Sequence, residues 1–205
     1  MPQTFPWPAP ADLSRDGKFA CLDFVNSAWT DWRGQDGPTD RLGSPDWWKR
    51  FATNWGLGAA GADAPTGRRL AELRKLRAVM RTAIQKHRPP KGSELAWLNS
   101  RLATSPNRWT IGGGTDGLTS KLVPSRPGWP AVTAALILSF SQLLNEGETS
   151  RLKRCANPDC SYVFYDVSTN QSRRWCFSNE CGNLLRVRAF RVRNERKRGR
   201  RITSS

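Results

Sequence analysis

The chain has 205 residues, 38 % of them apolar and ten of them tryptophan, enough for one ordinary core with a small appended module and too apolar for a disordered protein. Its formal charge of +16 favours polyanionic partners, nucleic acid before anionic membrane, and leaves the fold open. The opening MPQTFPWPAP lacks a basic region followed by an apolar run, and the most apolar stretch, Ala131 to Phe140, is interrupted by Thr133 and Ser139 and too short to cross a bilayer. The expected protein is soluble and cytoplasmic, without a membrane partner.

In chain order, Pro2, Pro6, Pro8 and Pro10 make residues 1 to 17 an extended arm. FACLDFVNSAW, residues 19 to 29, reads as a first helix with Leu22, Val25 and Trp29 on one side. A loop follows, then a short aromatic helix from Asp46 to Trp55, capped by Ser44 with Pro45 at its first position. After a Gly/Ala linker, Leu70, Leu73, Leu76, Met80 and Ile84 recur at three- and four-residue spacing and predict a helix from Arg68 to His87, stopped by Pro89-Pro90. Ser93 to Ala103 reads as another helix, facing inward through Leu95, Leu98 and Leu102. RWTIGGGTDGLTSKLV predicts a hairpin, with Trp109 and Ile111 on one arm and Leu118, Leu122 and Val123 on the other. Pro130 then opens an apolar helix through Leu144, expected at the centre of the core. The fold class is mainly α with a small β-hairpin (α+β), and a boundary near residue 150 separates a front domain, 1–150, from a C-terminal module, 151–205.

Charge divides at the same place. Residues 151 to 205 carry 14 Lys+Arg against 4 Asp+Glu, so +10 of the total +16 sits on the last quarter of the chain. Within it, four of the five cysteines form two C-x4-C pairs, Cys155/Cys160 and Cys176/Cys181. Tetrahedral zinc takes four thiolates as two chelating pairs from separate segments, and Asn157-Pro158-Asp159 supplies turn chemistry inside the first pair. Four cysteines close the coordination sphere, so the site is structural and its Zn2+ holds together a module too small to bury its own core. An iron–sulfur cluster is the alternative occupant of such a thiol set. Cys21, alone in an apolar segment, reads as a buried small hydrophobe.

Between the pairs, Arg173 and Arg174 precede Trp175. They read either as surface arginines on a strand-turn element, with Asp166 as ion partner, or as phosphate or base-edge contacts held by a metal-pinned turn. After Cys181, a helix from about Asn183 to Arg198 stacks Leu185, Ala189 and Val192 in a narrow stripe able to dock on the protein body. Arg186, Arg193 and Lys197 share one face with Phe190, while Arg188, Arg191 and Arg198 fill another. Only Glu195 is available as an acidic partner, so a merely solvated face explains this run poorly and nucleic-acid contact explains it better. Residues 199 to 205 are expected to form a flexible tail.

The string C-x4-C-x3-F-x-D-x-S-x3-S-R-R-W-C-x4-C-G-N, Cys155 through Asn183, resembles the CGNR zinc finger. CLDFVNS, residues 21 to 27, resembles the L-D-F-V-N-T signature of the ABATE domain that usually precedes that finger, in a family associated with stress-induced transcription regulation in bacteria. The resemblance covers nearly the whole chain. It implies zinc ligation by Cys155, Cys160, Cys176 and Cys181 and places Arg173, Arg174 and Trp175 in the family's R-R-W. Leu184 stands where the motif's arginine belongs; if that arginine touches nucleic acid in relatives, this chain lacks the contact or supplies it from Arg186.

No catalytic constellation emerges. The single histidine, His87, reads as a helix C-terminal cation, and GGGTDG, residues 112 to 117, lacks a following Lys-Ser/Thr and reads as a hairpin turn. Asp23 and Asn26 read as caps or buried hydrogen-bonding partners, and the tryptophans as core more than as an aromatic ligand pocket. The expected function is a zinc-dependent, duplex-DNA-binding transcription regulator, not an enzyme. Its front domain would sense a small-molecule effector or form a homodimer. The alternative is an RNA-binding or ribosome-associated protein, with Trp175, Phe177 and Phe190 stacking on unpaired bases.

Overall fold

α1 (Ala20–Val25) buries Ala20, Cys21, Leu22, Phe24 and Val25 and packs against α5 (Trp129–Glu146). The computed structural model describes residues 19–30, 38–57, 63–114, 117–146 and 148–202; the proline-rich arm expected over 1–17 lies outside the described residues. Seven successive positions of α5, Ala131 to Ile137, are buried, the polar Thr133 among them. α2 (Pro45–Asn54) starts as its sequence dictates, with the Ser44 hydroxyl accepting the Trp47 N–H and Pro45 at the first position. Trp48 is fully buried, its indole donating to the Leu42 carbonyl at 2.6 Å, and Trp55 donates to Asp23 at 2.9 Å. These tryptophans are core.

α3 (Gly67–Gln85) presents Leu73, Leu76, Met80 and Ile84 to the core, and α4 (Ser93–Leu102) presents Leu98. Leu95 faces outward enough to remain 48 % exposed, unlike its expected inward placement. Among the described residues, three two-stranded antiparallel sheets accompany the helices, where one hairpin was expected: β1 (Ala28–Thr30) with β2 (Pro38–Asp40), β3 (Asn107–Gly114) with β4 (Gly117–Pro124), and β5 (Leu152–Arg154) with β6 (Val163–Tyr165). The β3–β4 register opposes Trp109 to Leu122, and Trp109, Ile111 and Leu118 stand in solvent. No helix of the described residues is long and apolar enough to cross a membrane.

The first helix is shorter than its apolar spacing suggests. It ends at Val25, and Trp29 lies in β1 instead of on the helix's inner face. The physical cause is Asn26, whose side-chain amide is recruited by a strand 137 positions away. Its Nδ2 donates to the Val163 carbonyl at 2.8 Å, and its Oδ1 accepts the Val163 N–H at 3.0 Å. Arg81 of α3 reinforces the same joint, donating to the carbonyls of Val25 at 2.6 Å, Ala28 at 3.0 Å and Ser161 at 3.0 Å. Arg77 ties Ser27 to Asp40, and Arg74 takes the other Asp40 oxygen at 2.7 Å. The arginines of the α3 outer face thus bind β1, β2 and the C-terminal module instead of only water. The main core crosses residue 150 as well, since Leu152 and Val163 are buried with α1, α3 and α5.

Asn26→Ala would leave the Val163 N–H and carbonyl buried without partners. A loss of about 2–4 kcal/mol is expected in chemical denaturation. An unchanged midpoint would show that the amide clasp carries no stability.

Candidate metal centre

Cys155 follows β5 directly, and its N–H donates to the Tyr162 carbonyl at 2.9 Å, so the β5–β6 connection closes into a tight knuckle. Asn157 shapes that knuckle: its Oδ1 accepts the Asp159 N–H at 3.2 Å, and its carbonyl accepts the Cys160 N–H at 3.0 Å. The second pair lies further on. Cys176 ends the segment after Trp175, and Cys181 sits in a wide helical turn, Ser178–Gly182, that runs straight into α6 (Asn183–Ile202). All four cysteines are buried, and their sulfurs lie within 4.8 Å of one another.

Sulfurs about 2.3 Å from a tetrahedral zinc stand about 3.8 Å apart along each edge. The Cys160 and Cys176 sulfurs are separated by 3.8 Å. That edge, together with all four sulfurs lying within 4.8 Å of one another, suits a single ion, whereas thiolates on different irons of a cluster would stand further apart. Protein dipoles already serve the sulfurs: the Cys176 N–H points at the Cys155 sulfur at 3.5 Å, and the Asn157 amide donates to the Cys181 sulfur at 3.4 Å. Crowding also sets the thiols against one another. Hydrogen bonds from Cys160 and Cys176 hold Cys155 low, the same Cys155 contact pushes Cys160 up to about 12, and burial raises Cys181. A bound divalent cation removes that conflict by compensating all four thiolates together. The four cysteines therefore form a metal-binding site whose dimensions and donors fit zinc. Cys21 stands apart: burial pushes its thiol up to about 12, so it is an inert part of the core.

Asp166 organises the segment between the pairs. It is fully buried, and burial alone would raise its carboxyl. Hydrogen bonds from Lys153 and Ser168 nonetheless hold it down to about 2. Its partner is Lys153 at 2.7 Å, not Arg173 or Arg174; Arg173 contributes only its backbone N–H, at 3.0 Å. The Arg173 guanidinium lies 4.2 Å from the Phe164 ring centroid and donates to the carbonyls of Trp175, at 3.1 Å, and Cys176. Arg174 is exposed and stacks on Trp175 at 5.5 Å, as does Arg186 from α6. Trp175 in turn packs on Gly182, where an added Cβ would stand 3.2 Å from the indole, so the glycine of C-G-N admits the ring.

α6 is a 20-residue helix that meets the rest of the described chain through its first two turns. Arg188 pairs with Asp159 at 2.8 Å, pinning the helix to the first knuckle. Beyond that point, Ala189, Phe190, Arg191, Val192 and Arg193 are exposed. Two expectations are corrected. The stripe of Leu185, Ala189 and Val192 does not dock on the body, because Cys181 sends the helix outward. Residues 199–202 continue the helix instead of forming a tail. Lys197 and Arg198 lie on the helix, and their side chains lie outside the described residues. The turn at Asn157 is as its sequence suggests, whereas the Arg81 contacts, the Lys153–Asp166 pair and the Asn157 bond to the Cys181 sulfur join residues far apart in the chain and leave no local pattern.

A mainly helical front domain fused to a four-cysteine knuckle with a projecting basic helix defines a zinc-finger protein. The chain matches the family model ABATE, described as "Putative stress-induced transcription regulator", over residues 19–147, and the model of the CGNR zinc finger over residues 151–194. It belongs to the ABATE family and carries the CGNR finger at its C-terminal side. No curated protein matches the chain.

Cys176→Ser is expected to reduce bound zinc, measured by elemental analysis, from one equivalent to well below it. The helical signal of the front domain should persist, with a lower melting midpoint because Leu152 and Val163 belong to its core. Retention of a full equivalent would remove Cys176 from the ligand set.

Proposed function

We propose that this protein is a cytoplasmic, zinc-dependent transcription regulator that binds duplex DNA through α6, with no catalytic role, and that its front domain senses a small-molecule effector or forms a homodimer. The supporting observation is the helix itself. It leaves the metal knuckle in a fixed direction and carries Arg186, Arg191 and Arg193 on exposed turns, where its apolar residues find no protein to cover them.

A helix of about 10–12 Å diameter fits the major groove, and exposed arginines serve both phosphates and guanine edges there. Val187 and Phe190 offer apolar contact of the kind thymine methyl groups accept. Zinc, when bound, holds the two cysteine pairs together and thereby sets the angle at which α6 meets a groove. Arg174 and Arg186, stacked on Trp175, extend the basic surface onto the knuckle. Arg173 belongs to this scheme as a positioning residue, because its guanidinium is committed to the Trp175 and Cys176 carbonyls. Arg186, two residues beyond Leu184 and so about 200° around the same helix, stacks on Trp175 and offers its charge on a different face from the arginine absent at Leu184.

Phe190, 57 % exposed, favours the second reading, an RNA-binding or ribosome-associated protein that stacks an aromatic ring on an unpaired base. Selection of the zinc-loaded protein against a random duplex pool separates the two. An enriched motif is expected, with half-site spacing if a homodimer binds; recovery without enrichment, together with tighter binding to single-stranded RNA, would favour the alternative. Replacing Arg191 and Arg193 with alanine should flatten the dependence of log K on log salt by about two phosphates' worth, a slope change of about 1.8. An unchanged slope would remove that part of α6 from the interface.

A further inference from the structure

A groove of about 430 Å³ opens where the end of α3, the Pro89-Pro90 turn, α4 and the second half of α5 meet the first residue of β5. Its wall is mainly apolar, built from Leu95, Leu98, Leu102, Ile137, Phe140 and Leu152. The exposure of Leu95, at 48 %, follows from its place on this wall. Volume and lining are those of a small-molecule site, a mostly apolar cleft with a few polar groups at its edge. The polar groups are Asn99, Ser141 and Asn145 on the helices, Thr149 just before β5, and His87 and Arg88 after the end of α3.

The chain beside the groove is basic: Lys86, Arg88 and Lys91 follow the end of α3 within six residues, with Glu94 the acid of the same stretch. Glu94 is engaged by one nitrogen of Arg88 at 3.2 Å, and Glu148, next to the groove-lining Thr149, is engaged by Arg151 at 3.1 Å. The His87 backbone, at φ 49°, turns the chain so that His87 and Arg88 both reach the groove, where a continued helix would have carried them past it.

We infer that this groove is the binding site for an amphipathic anion, an apolar body of alkyl or aryl character with a carboxylate or similar head group at His87 and Arg88. The inference deepens the sensing role proposed above and rests on it for its purpose, but not for the binding itself. The groove is lined by residues of both family segments. Leu152 lines it, starts β5, and stands three residues before Cys155. The turn before it, Thr149–Arg151, is bonded across to β6: the Glu148 N–H donates to the Tyr165 hydroxyl at 3.2 Å, and Arg151 donates to the carbonyls of Asp166 at 3.0 Å and Ser168 at 2.8 Å. A molecule packed on Leu152 therefore presses on the strand that carries the first metal ligand.

The test uses zinc-loaded, full-length protein and decanoate as probe, titrated calorimetrically below its micelle concentration. Saturable one-to-one binding is expected. Octanoate, two methylenes shorter, should bind about tenfold more weakly. Ser141→Trp and, separately, Asn99→Trp fill the groove from solvent-facing positions and should each abolish binding, while Trp109→Ser on the exposed β3–β4 hairpin should leave it unchanged. His87→Ala with Arg88→Ala should weaken decanoate several-fold and leave decanol unaffected. No saturable binding, or binding lost on the hairpin variant and kept in both groove variants, would overturn the site. These titrations contain no DNA, so their failure leaves the DNA reading standing. Repeating the DNA titration with saturating decanoate should shift the DNA Kd at least threefold; an unchanged Kd would overturn the link through Leu152.

Discussion

β6 is three residues long and serves two cores at once. Because successive side chains of a strand point to opposite faces, Val163 enters the core of the front domain while Phe164 enters the cysteine cluster. Tyr165 turns back to pack on the first core, its ring edge-on to Phe19. The strand's remaining polar atoms are claimed from both sides: Asn26 takes the Val163 backbone, and β5 takes the other edge. A strand this short has little stability alone, so its position depends on being gripped by both bodies. Every feature C-terminal to it inherits that position, including the metal ligands and the direction of α6.

The arginines fall into two populations with different physics. Arg77, Arg81 and Arg173 spend their guanidinium groups on backbone carbonyls, hydroxyls and Asp40, closing joints where helix ends and irregular chain would otherwise leave acceptors bare. Arg174, Arg186, Arg191 and Arg193 stay at the surface, two of them braced by an indole and the other two beyond any protein contact made by α6. The second population lies within residues 151–205, the quarter of the chain that carries +10 of its +16. That division separates a basic surface available to a polyanion from basic residues that merely hold the fold.

The groove and the basic helix lie at opposite ends of one connected element. β5 begins at Leu152 in the groove wall and ends next to Cys155; its central Lys153 holds the buried Asp166, which orders the turn leading to Arg173 and Trp175. Trp175 then packs on Gly182 at the root of α6. Packed cores respond to a new neighbour by discrete rearrangement more readily than by smooth deformation, so a bound molecule on Leu152 acts on the setting of the helix.

Much was legible in the sequence because it is local. Three- and four-residue apolar spacing gave α3, the apolar run behind Pro130 gave α5, Ser44-Pro45 gave the start of α2, and paired C-x4-C spacing gave the metal ligands. Each reading depends on residues a few positions apart, and covalent geometry restricts what such neighbours can do. The C-G-N string and the CLDFVNS segment likewise carried the family. What the tertiary structure alone decided involves pairs far apart in the chain. Asn26 ends α1 because Val163 waits for its amide; Lys153, not an arginine, neutralises Asp166; Arg173 turns inward; and α6 stands away from the body because Cys181 aims it there. Burial and partner choice are properties of the assembled surface, and a sequence pattern records the need for a partner without recording which distant group fills it.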